Sequence, residues 1–422
     1  MILRRIGLLA VLVAVASLQC RKAEGVREDP VDAEAEEAFV AYLRIDTTNP
    51  PGNETAGATF VRDLLVKHGV EARLVGDDPK RQGVYARLES GSNEPALLLL
   101  SHIDVVPADA SRWRNAPFEG KREGGYIWGR GAIDNKPLTI AGVMALLDLK
   151  RRGAKLRRDV VLLAVPDEER GGLRGAKLLL DTRPELFRNV GFVLNEGGSN
   201  RTAMDRALFW GIEVQQKVPL WLRVTAEAEG GHGAAPRETK GAPAKLVAAL
   251  AAIDALEPPV PAAEAATRDT VTITSLSAAG AVNVLAPRAS AEVDIRLVPG
   301  TDPAAMLARV REAAGKHAAV EVILAGEPVA PSPSETELFA TVARVLKKSA
   351  PGSTVAPIVN AGTSDSRFFR ARGIPSYGIA PFKVSSYDIG SVHAEDERIR
   401  ARFFGEGVRV VRGIVREFCE AR

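Results

Sequence analysis

Two kinds of apolar spacing alternate along most of the chain. Apolar residues recur at helical intervals in the segments 39–43 and 60–65, and a turn rich in proline and glycine separates these segments. Three short uninterrupted apolar runs predict buried strands at Ala96–Leu100, Val160–Val165 and Val190–Leu194, and a helix is predicted at Leu138–Arg151. Because strands and helices alternate, we expect an α/β fold with a mostly parallel sheet and flanking helices.

The spacing changes near Val214, where a different kind of segment begins. Leu220–Ala228 alternates apolar and polar residues, as a half-exposed strand does. The elements that follow are a helix at Ala242–Leu256, strands at Thr270–Leu276 and Ala289–Leu297, a helix at Asp302–Lys316 and a strand at Ala319–Leu324. This order, β-α-β-β-α-β, is the split βαβ pattern. We therefore expect an inserted α+β lid domain at 214–327, between the two parts of a larger domain at 36–213 and 328–422.

The first twenty residues have the pattern of an export signal. Arg4 and Arg5 precede the apolar run Ile6–Leu18, which is shorter than the ~20 residues that a membrane-spanning helix needs. Ala14-Val15-Ala16 would suit ordinary cleavage, whereas Cys20 stands where a bacterial lipoprotein carries its lipid. Both routes stay open, as does an uncleaved anchor. We expect a charged tether at 21–35 and an exported protein, periplasmic or secreted, which would touch a membrane only through a lipid anchor.

Composition and charge exclude several classes of protein and of binding site. Hydrophobic residues make up 46% of the chain and charged residues 26%, as in ordinary globular proteins, so long disorder and a polytopic membrane protein are excluded. The net charge is only +3, which gives no support to a nucleic-acid partner. The cysteines are Cys20 and Cys419, so a metal site must be built from His, Asp and Glu.

Five short elements carry histidine or acidic residues, and most of them follow a predicted strand or precede a helix. They are His102 with Asp104, Gly129–Pro137 with Asp134, Pro166–Gly172 with Glu168 and Glu169, Asn195–Gly198 with Glu196, and Ser391–Glu397 with His393. Open α/β sheets place ligands at the carboxyl ends of their strands. A single such element is often only a structural histidine or a solvated loop. Four acid-bearing loops that converge on one sheet edge, with histidine at both ends of the series, predict a zinc, manganese or cobalt site.

Other catalytic patterns are missing from the sequence. It has no Gly-x-Ser-x-Gly elbow and no His-Glu-x-x-His helix. Gly129-Arg130-Gly131 lacks the third glycine of a dinucleotide-binding loop. Asp104 lies two residues after His102, where its carboxylate can accept a hydrogen bond from the imidazole and set the tautomer.

In this order, the five elements resemble the di-zinc exopeptidase family of glutamate carboxypeptidase, aminoacylase and succinyl-diaminopimelate desuccinylase. The segments Asn195–Gly198 and Thr363–Phe369 are most similar to the branch of Gly-X carboxypeptidase and N-acyl-amino-acid hydrolases. The resemblance implies two Zn²⁺ per chain, with Co²⁺ or Mn²⁺ as substitutes. It assigns one zinc to His102, Asp134 and Glu196, and the other to Glu169 and His393, with Asp134 bridging. Glu168 would be the general base, and Asp104 would be the partner of His102.

The resemblance also assigns residues that bind the substrate. His232, in the motif Gly230–Pro236, would stabilise the oxyanion of the intermediate, often across a dimer interface in relatives. Asn283 and Arg296 would hold the substrate carboxylate, and Gly362 and Thr363 would supply loop contacts. The role of Arg367 stays open. The motif departs from the usual pattern at Asn135-Lys136-Pro137, which we expect to alter the start of the helix and not the metal ligand. A lid of ordinary length argues against a large lipid-acyl pocket.

Together these observations predict an exported zinc hydrolase that cleaves an amide bond next to a free carboxylate. The substrate would be a short peptide, which makes the enzyme a carboxypeptidase, or alternatively an N-acyl amino acid, which makes it an aminoacylase-like amidohydrolase. A homodimer through the lid is part of this prediction. From another class, a non-catalytic binding protein on the same scaffold is the rival. A structural lipoprotein that uses only its tether would leave the convergent acids unexplained.

Overall fold

The computed structural model describes residues 30–234, 241–261, 264–278 and 280–421. The predicted signal segment and Cys20 lie outside these residues. The helices in the described part are α1 (Pro30–Leu43), α2 (Glu54–Lys67), α3 (Lys136–Arg151), α4 (Ala176–Thr182), α5 (Gly241–Asp254), α6 (Pro303–Ala314), α7 (Glu337–Ser349), α8 (Ser366–Arg370), α9 (Ser386–Ile389) and α10 (Ala401–Cys419). No helix in these ranges is both long and apolar enough to span a membrane.

The strands of the described residues form one large sheet and three smaller ones. They are β1 (Ala72–Val75), β2 (Gly83–Leu88), β3 (Ala96–His102), β4 (Lys121–Glu123), β5 (Tyr126–Trp128), β6 (Val160–Val165), β7 (Val190–Asn195), β8 (Ser199–Ala203), β9 (Arg206–Gln216), β10 (Val218–Glu227), β11 (Gly231–His232), β12 (Thr270–Ala278), β13 (Val284–Leu285), β14 (Arg288–Leu297), β15 (Ala319–Ala325), β16 (Thr354–Asn360), β17 (Ser376–Gly378) and β18 (Arg398–Arg400).

The large sheet has the strand order β1-β2-β6-β3-β7-β17-β9-β16, and β8 pairs with β9. Its centre, β6-β3-β7-β17, is parallel, and antiparallel pairs lie towards both edges. Both β3 and β6 are buried along their whole length. Strands of this kind are apolar on both faces because helices cover both sides of the sheet. The expected α/β fold with a mostly parallel central sheet is confirmed.

The side chains of β3 divide between two hydrophobic cores. Leu97 and Leu99 pack with α1, α3 and α10 on one face, whereas Leu98 and Leu100 pack with α4 on the other. This division follows from the two-residue period of a strand. It leaves the carboxyl end of β3, at His102, at the edge of the sheet between the two layers.

A second, four-stranded antiparallel sheet has the order β12-β14-β10-β15. Helices α5 and α6 pack on it around a separate hydrophobic core. Along the chain these elements run β-α-β-β-α-β. The change of domain that we expected near Val214 falls inside β9, which belongs to the large sheet, so the chain enters the small sheet only at Val218.

The first helix corrects the expected extent of the tether. Residues 30–35 are helical rather than an extended linker, because α1 begins at Pro30. Ion pairs fix this part of the helix to the larger domain: Asp32 pairs with Arg409, and Glu34 pairs with Arg151 at 2.6 Å. The charged character of the segment therefore reflects surface ion pairs of a folded helix.

Candidate metal centre

The carboxyl ends of three neighbouring parallel strands lie at one edge of the large sheet. β3 ends at His102, β6 leads into the short helical turn Glu168–Arg170, and Glu196 directly follows β7. Asp134 reaches the same place from the loop before α3, and His393 from the loop before β18. All five predicted metal ligands are thus brought together by the topology.

The first cluster joins His102, Asp134 and Glu196. The Nε2 atom of His102 lies 3.0 Å from Oδ1 of Asp134 and 3.5 Å from Oε2 of Glu196. Nδ1 of His102 lies 2.8 Å from the backbone carbonyl of Asp104. Because a carbonyl only accepts hydrogen bonds, Nδ1 carries the proton, which leaves Nε2 as the nitrogen that can bind a metal ion.

The second cluster shares Asp134 with the first. Oδ2 of Asp134 lies 3.3 Å from Nε2 of His393, and Oε2 of Glu169 lies 3.2 Å from the same nitrogen. In each cluster the ligand atoms lie within 4.8 Å of one another. The two oxygens of Asp134 therefore face two different histidines, which is the arrangement of a bridging carboxylate.

The donor set fits a pair of divalent cations. Oε1 of Glu169 is buried and accepts no hydrogen bond from any residue that the structure describes. A buried, unpartnered carboxylate oxygen is costly unless a ligand satisfies it. Histidine nitrogens with carboxylate oxygens, and no thiolate, suit zinc, cobalt or manganese. These residues would therefore hold two metal ions, with Asp134 between them.

Burial and crowding shift the pKa values of the cluster. Burial and the charge of Asp134 raise the pKa of Glu169 to about 7. Burial lowers the pKa of His393, but the neighbouring carboxylates Asp134 and Glu169 outweigh it and raise that pKa to about 11. Burial and the charge of Glu196 raise the pKa of Glu168 well above its usual value. Four carboxylates packed in one buried place attract positive charge, whether from protons or from metal ions.

Asp104 has a different role from the one we expected. Its carboxylate oxygen lies 3.6 Å from Nδ1 of His102, whereas its backbone carbonyl is the closer acceptor. The carboxylate instead accepts hydrogen bonds from the backbone N–H groups of Glu168 and Glu169, both at 3.1 Å, and from the side chain of Asn49 at 2.9 Å. Asp104 therefore holds the turn that carries the two glutamates.

Glu397 organises the loop that carries Asp134, and sequence reasoning gave it no role. Its buried carboxylate accepts the backbone N–H groups of Gly131, Ile133 and Asp134 at 2.9, 2.7 and 3.0 Å. It also pairs with Arg130 at 2.8 Å. The signal in the sequence was its place at the end of the Ser391–Glu397 element, whose other acids are more exposed.

Asn135 is a second residue whose role the sequence did not reveal. Its side-chain amide donates a hydrogen bond of 2.7 Å to Oε2 of Glu196. We expected this departure from the usual motif to affect only the start of the helix. The structure shows that it also orients a predicted metal ligand, and α3 begins at the next residue, Lys136.

A cavity of about 370 Å³ opens over the clusters and reaches the small sheet. Of the predicted substrate residues, Arg296, Gly362 and Thr363 line it, together with Glu168. Trp221, in β10 of the small sheet, contributes an apolar wall. The predicted base and three of the predicted substrate contacts thus share one cavity with the predicted metal ligands.

His232 and Asn283 do not line this cavity within one chain. His232 lies in β11, which pairs with β13, and its side chain is exposed. Asn283 is also exposed and accepts a backbone hydrogen bond from Gly233 at 2.7 Å. Neither residue contributes to the cavity of its own chain.

Comparison with known protein families shows to which family the chain belongs. The chain matches the model of peptidase family M20/M25/M40 over residues 98–417. It belongs to this family. The match includes all five predicted metal ligands, and the predicted family is confirmed.

Relatives of this M20 peptidase extend over nearly the whole chain. Human aminoacylase-1 is 30% identical over 388 residues, which cover 88% of this chain and 92% of the relative. Among solved structures, the M20 family metallo-carboxypeptidase Sso-CP2 of Sulfolobus solfataricus has a TM-score of 0.73 at 20% identity, covering 90% of this chain and 98% of that one. The YXEP protein of Bacillus subtilis, a dinuclear metal binding peptidase, has a TM-score of 0.56 at 16% identity and covers 91% of this chain and 98% of that one. The chain is a metal-dependent hydrolase of amide bonds with a dinuclear site.

Proposed function

We propose that this protein is a di-zinc hydrolase that cleaves an amide bond next to a free carboxylate. The observation that carries the proposal is the shared Asp134, which joins two histidine–carboxylate clusters at the floor of a cavity lined by Glu168. N-acyl amino acids are the first candidate substrates, because aminoacylase-1 is similar over nearly the whole chain. Short peptides cleaved from the carboxyl end are the second, because the family model is one of peptidases.

The proposed reaction follows from where the chain places its acids. When bound, the metal ions would polarise the scissile carbonyl and lower the pKa of a water molecule. Glu168 accepts the proton of the attacking water and delivers it to the leaving amine. A buried carboxylate with a raised pKa suits this exchange, because it holds a proton more readily than an ordinary glutamate does. Asp104 keeps Glu168 in place through the backbone of the turn.

The experiment is a panel of N-acyl amino acids and dipeptides, each with a free or an amidated carboxylate. The protein is first stripped with a chelator and then reloaded with Zn²⁺, Co²⁺ or Mn²⁺. We expect amine release only from the free acids, loss of activity on stripping, and the best recovery with Zn²⁺. The absence of hydrolysis by a folded protein with two metal ions would contradict the proposal and favour the non-catalytic binding protein.

We also propose that a second copy of the chain completes the site through the lid. His232 is exposed and lies outside the cavity of its own chain, so its oxyanion role requires a partner chain. β12 is an edge strand of the lid sheet, and Leu276 in it is exposed, as is Val247 in α5. Open edges and exposed apolar side chains are typical of association surfaces.

Mixing two inactive variants tests this arrangement. Glu168→Ala and His232→Ala chains are combined under conditions in which subunit exchange is confirmed by a mass-tagged copy. Recovery of activity in the mixture is the expected result, because one of the two sites in a mixed dimer is intact. An inactive mixture after confirmed exchange would contradict the action of His232 across an interface.

Export remains a proposal that rests on the sequence pattern alone. We propose that the segment 1–20 directs the protein out of the cytoplasm, with ordinary cleavage after Ala16 and lipidation of Cys20 as the two alternatives. Mass spectrometry of the protein from fractionated cells would test both statements. A lipid mass on Cys20 in the membrane fraction would indicate the lipoprotein route, and an unmodified N-terminus at Ser17 would indicate ordinary cleavage. An intact N-terminus in the cytoplasmic fraction would contradict export.

A further inference from the structure

Two guanidinium groups line the cavity, and they differ in how their charge is balanced. Arg296 donates Nε and one terminal nitrogen to the two carboxylate oxygens of Asp294, at 2.7 and 2.9 Å. Arg367 donates to two backbone carbonyls, those of Ser364 at 3.1 Å and Gly171 at 2.5 Å. Arg367 forms no ion pair with any residue in the described ranges. One cavity cation thus has a direct carboxylate partner, and the other has none within ion-pair distance among the described residues.

Arg367 is buried as well as unpaired. Its residue is 6% exposed, and its guanidinium stacks on the ring of Phe368 at 4.3 Å. Backbone carbonyls accept its hydrogen bonds but carry no full charge, and buried charges are ordinarily balanced by an opposite charge. An arginine has five N–H donors in a planar fork that matches a carboxylate. Arg367 therefore retains both charge and donors for an anion that enters the cavity.

The carboxyl group of Asp365 does not cancel this charge at close range. It is buried, and neither of its oxygens accepts a hydrogen bond from a described residue. Burial raises the pKa of Asp365 to about 7, although the charge of Arg367 lowers it. Because this carboxyl accepts no hydrogen bond from Arg367, it leaves the remaining N–H donors of Arg367 unoccupied.

We propose that Arg367 receives the free carboxylate of the substrate. This inference rests on the proposed function, because it names the group that binds the substrate carboxylate in that reaction. Arg367 joins the loop of Gly362 and Thr363 to the turn of Glu168, through the carbonyls of Ser364 and Gly171. A carboxylate held there lies between the substrate loop and the base. Arg296, which Asp294 already holds, can offer only its remaining N–H groups.

The test compares one substrate in two forms, the best free acid of the panel and its carboxamide. The readout is the ratio of kcat/KM for the acid to kcat/KM for the amide. In Arg367→Met this ratio should fall by about 10- to 150-fold, the loss of one hydrogen-bonded charge pair. Arg223→Met is the matched control, because Arg223 pairs with Glu292 on the exposed lid and does not line the cavity. It should keep the wild-type ratio.

A second variant separates charge from structural support. Arg367→Met also removes the two bonds to the loops, so both substrates can lose turnover for a structural reason. Arg367→Lys keeps the charge, and we expect it to retain more of the ratio than Arg367→Met, even where its turnover is low. An equal loss on both substrates in Arg367→Met, with an unchanged ratio, would overturn the proposal, as would a ratio that falls only in Arg296→Met.

The wild-type measurement distinguishes failure of the inference from failure of the proposed function. If the wild-type protein hydrolyses the acid and the amide equally well, the requirement for a free carboxylate is wrong, and the inference falls with it. If the wild-type protein prefers the acid and Arg367→Met keeps that preference, only the inference about Arg367 is wrong.

Discussion

Replacing Glu397 by glutamine tests whether the shared metal ligand depends on a distant acid. The glutamate accepts three backbone N–H groups around Asp134 and pairs with Arg130, all while fully buried. Glutamine has the same shape but only one acceptor oxygen. Its NH₂ group would then face either the guanidinium of Arg130 or two backbone N–H groups, so at least one strong interaction becomes repulsive.

The magnitude follows from these contacts. Breaking one side of a buried charge pair costs about 3–5 kcal/mol, and disturbing the partner of a metal ligand lowers metal affinity by about 10- to 100-fold. Chelator competition would measure zinc affinity, and denaturant unfolding of the metal-free protein would measure stability. Glu395→Gln is the matched control, because Glu395 is more exposed and pairs with an exposed Arg112 at 2.8 Å. Wild-type zinc affinity in a folded Glu397→Gln protein would refute the reasoning.

Three further predictions concern the base, a ligand partner and acid stability. Glu168→Ala should keep two metal ions per chain yet lose about 10²- to 10⁴-fold in kcat, and full turnover would contradict its role as the base. Asn135→Ala should weaken metal binding by about 10-fold, since the amide no longer orients its glutamate; unchanged affinity in a chelator titration would disprove this. Although burial raises the pKa of Asp148, hydrogen bonds from Arg412 and Arg416 lower it to about 2. Because the pKa of Asp148 is depressed in the folded protein, its ionised carboxylate stabilises the fold at pH values above the usual pKa of 3.8. This stabilisation is lost as the pH falls through about 2. Denaturant unfolding should therefore show Asp148→Asn to be less stable than the wild-type protein at pH 7, with the difference disappearing below about pH 2. A gap that persists there would contradict this.

The elements predicted best are those whose apolar residues follow an uninterrupted or regularly spaced pattern in the sequence. The three apolar runs correspond to β3, β6 and β7, and the predicted helix at Leu138–Arg151 is α3 with two more residues at its start. β9 was missed, because a buried Glu213 and the glutamines at its end interrupt its apolar pattern. That glutamate is tolerated only because Arg370 lies 2.6 Å away, on a helix more than 150 residues further along the chain. A pairing of this kind is not visible in local spacing.

The candidate metal centre shows the same contrast between residues with a local sequence pattern and residues with remote partners. The metal-ligand candidates could be named from the sequence because each lies in a short acid- or histidine-bearing loop beside a strand or helix. The residues that hold those loops could not, because their partners are remote: Glu397 contacts a loop more than 260 residues earlier. Asp104 differs from the prediction for another reason, because its own backbone carbonyl lies closer to the His102 imidazole than its carboxylate does. Sequence spacing does not indicate which oxygen is closer.

The most direct test of the account is anomalous diffraction from crystals of the zinc-loaded protein, with data on both sides of the zinc absorption edge. Asp134 is the residue on which the dinuclear site depends. We predict two zinc peaks per chain, ~3.5–4 Å apart as in other two-metal sites. One carboxylate oxygen of Asp134 should bind each ion, with His102 and Glu196 on one side and His393 and Glu169 on the other. A single peak, or two peaks that Asp134 does not bridge, would contradict the account.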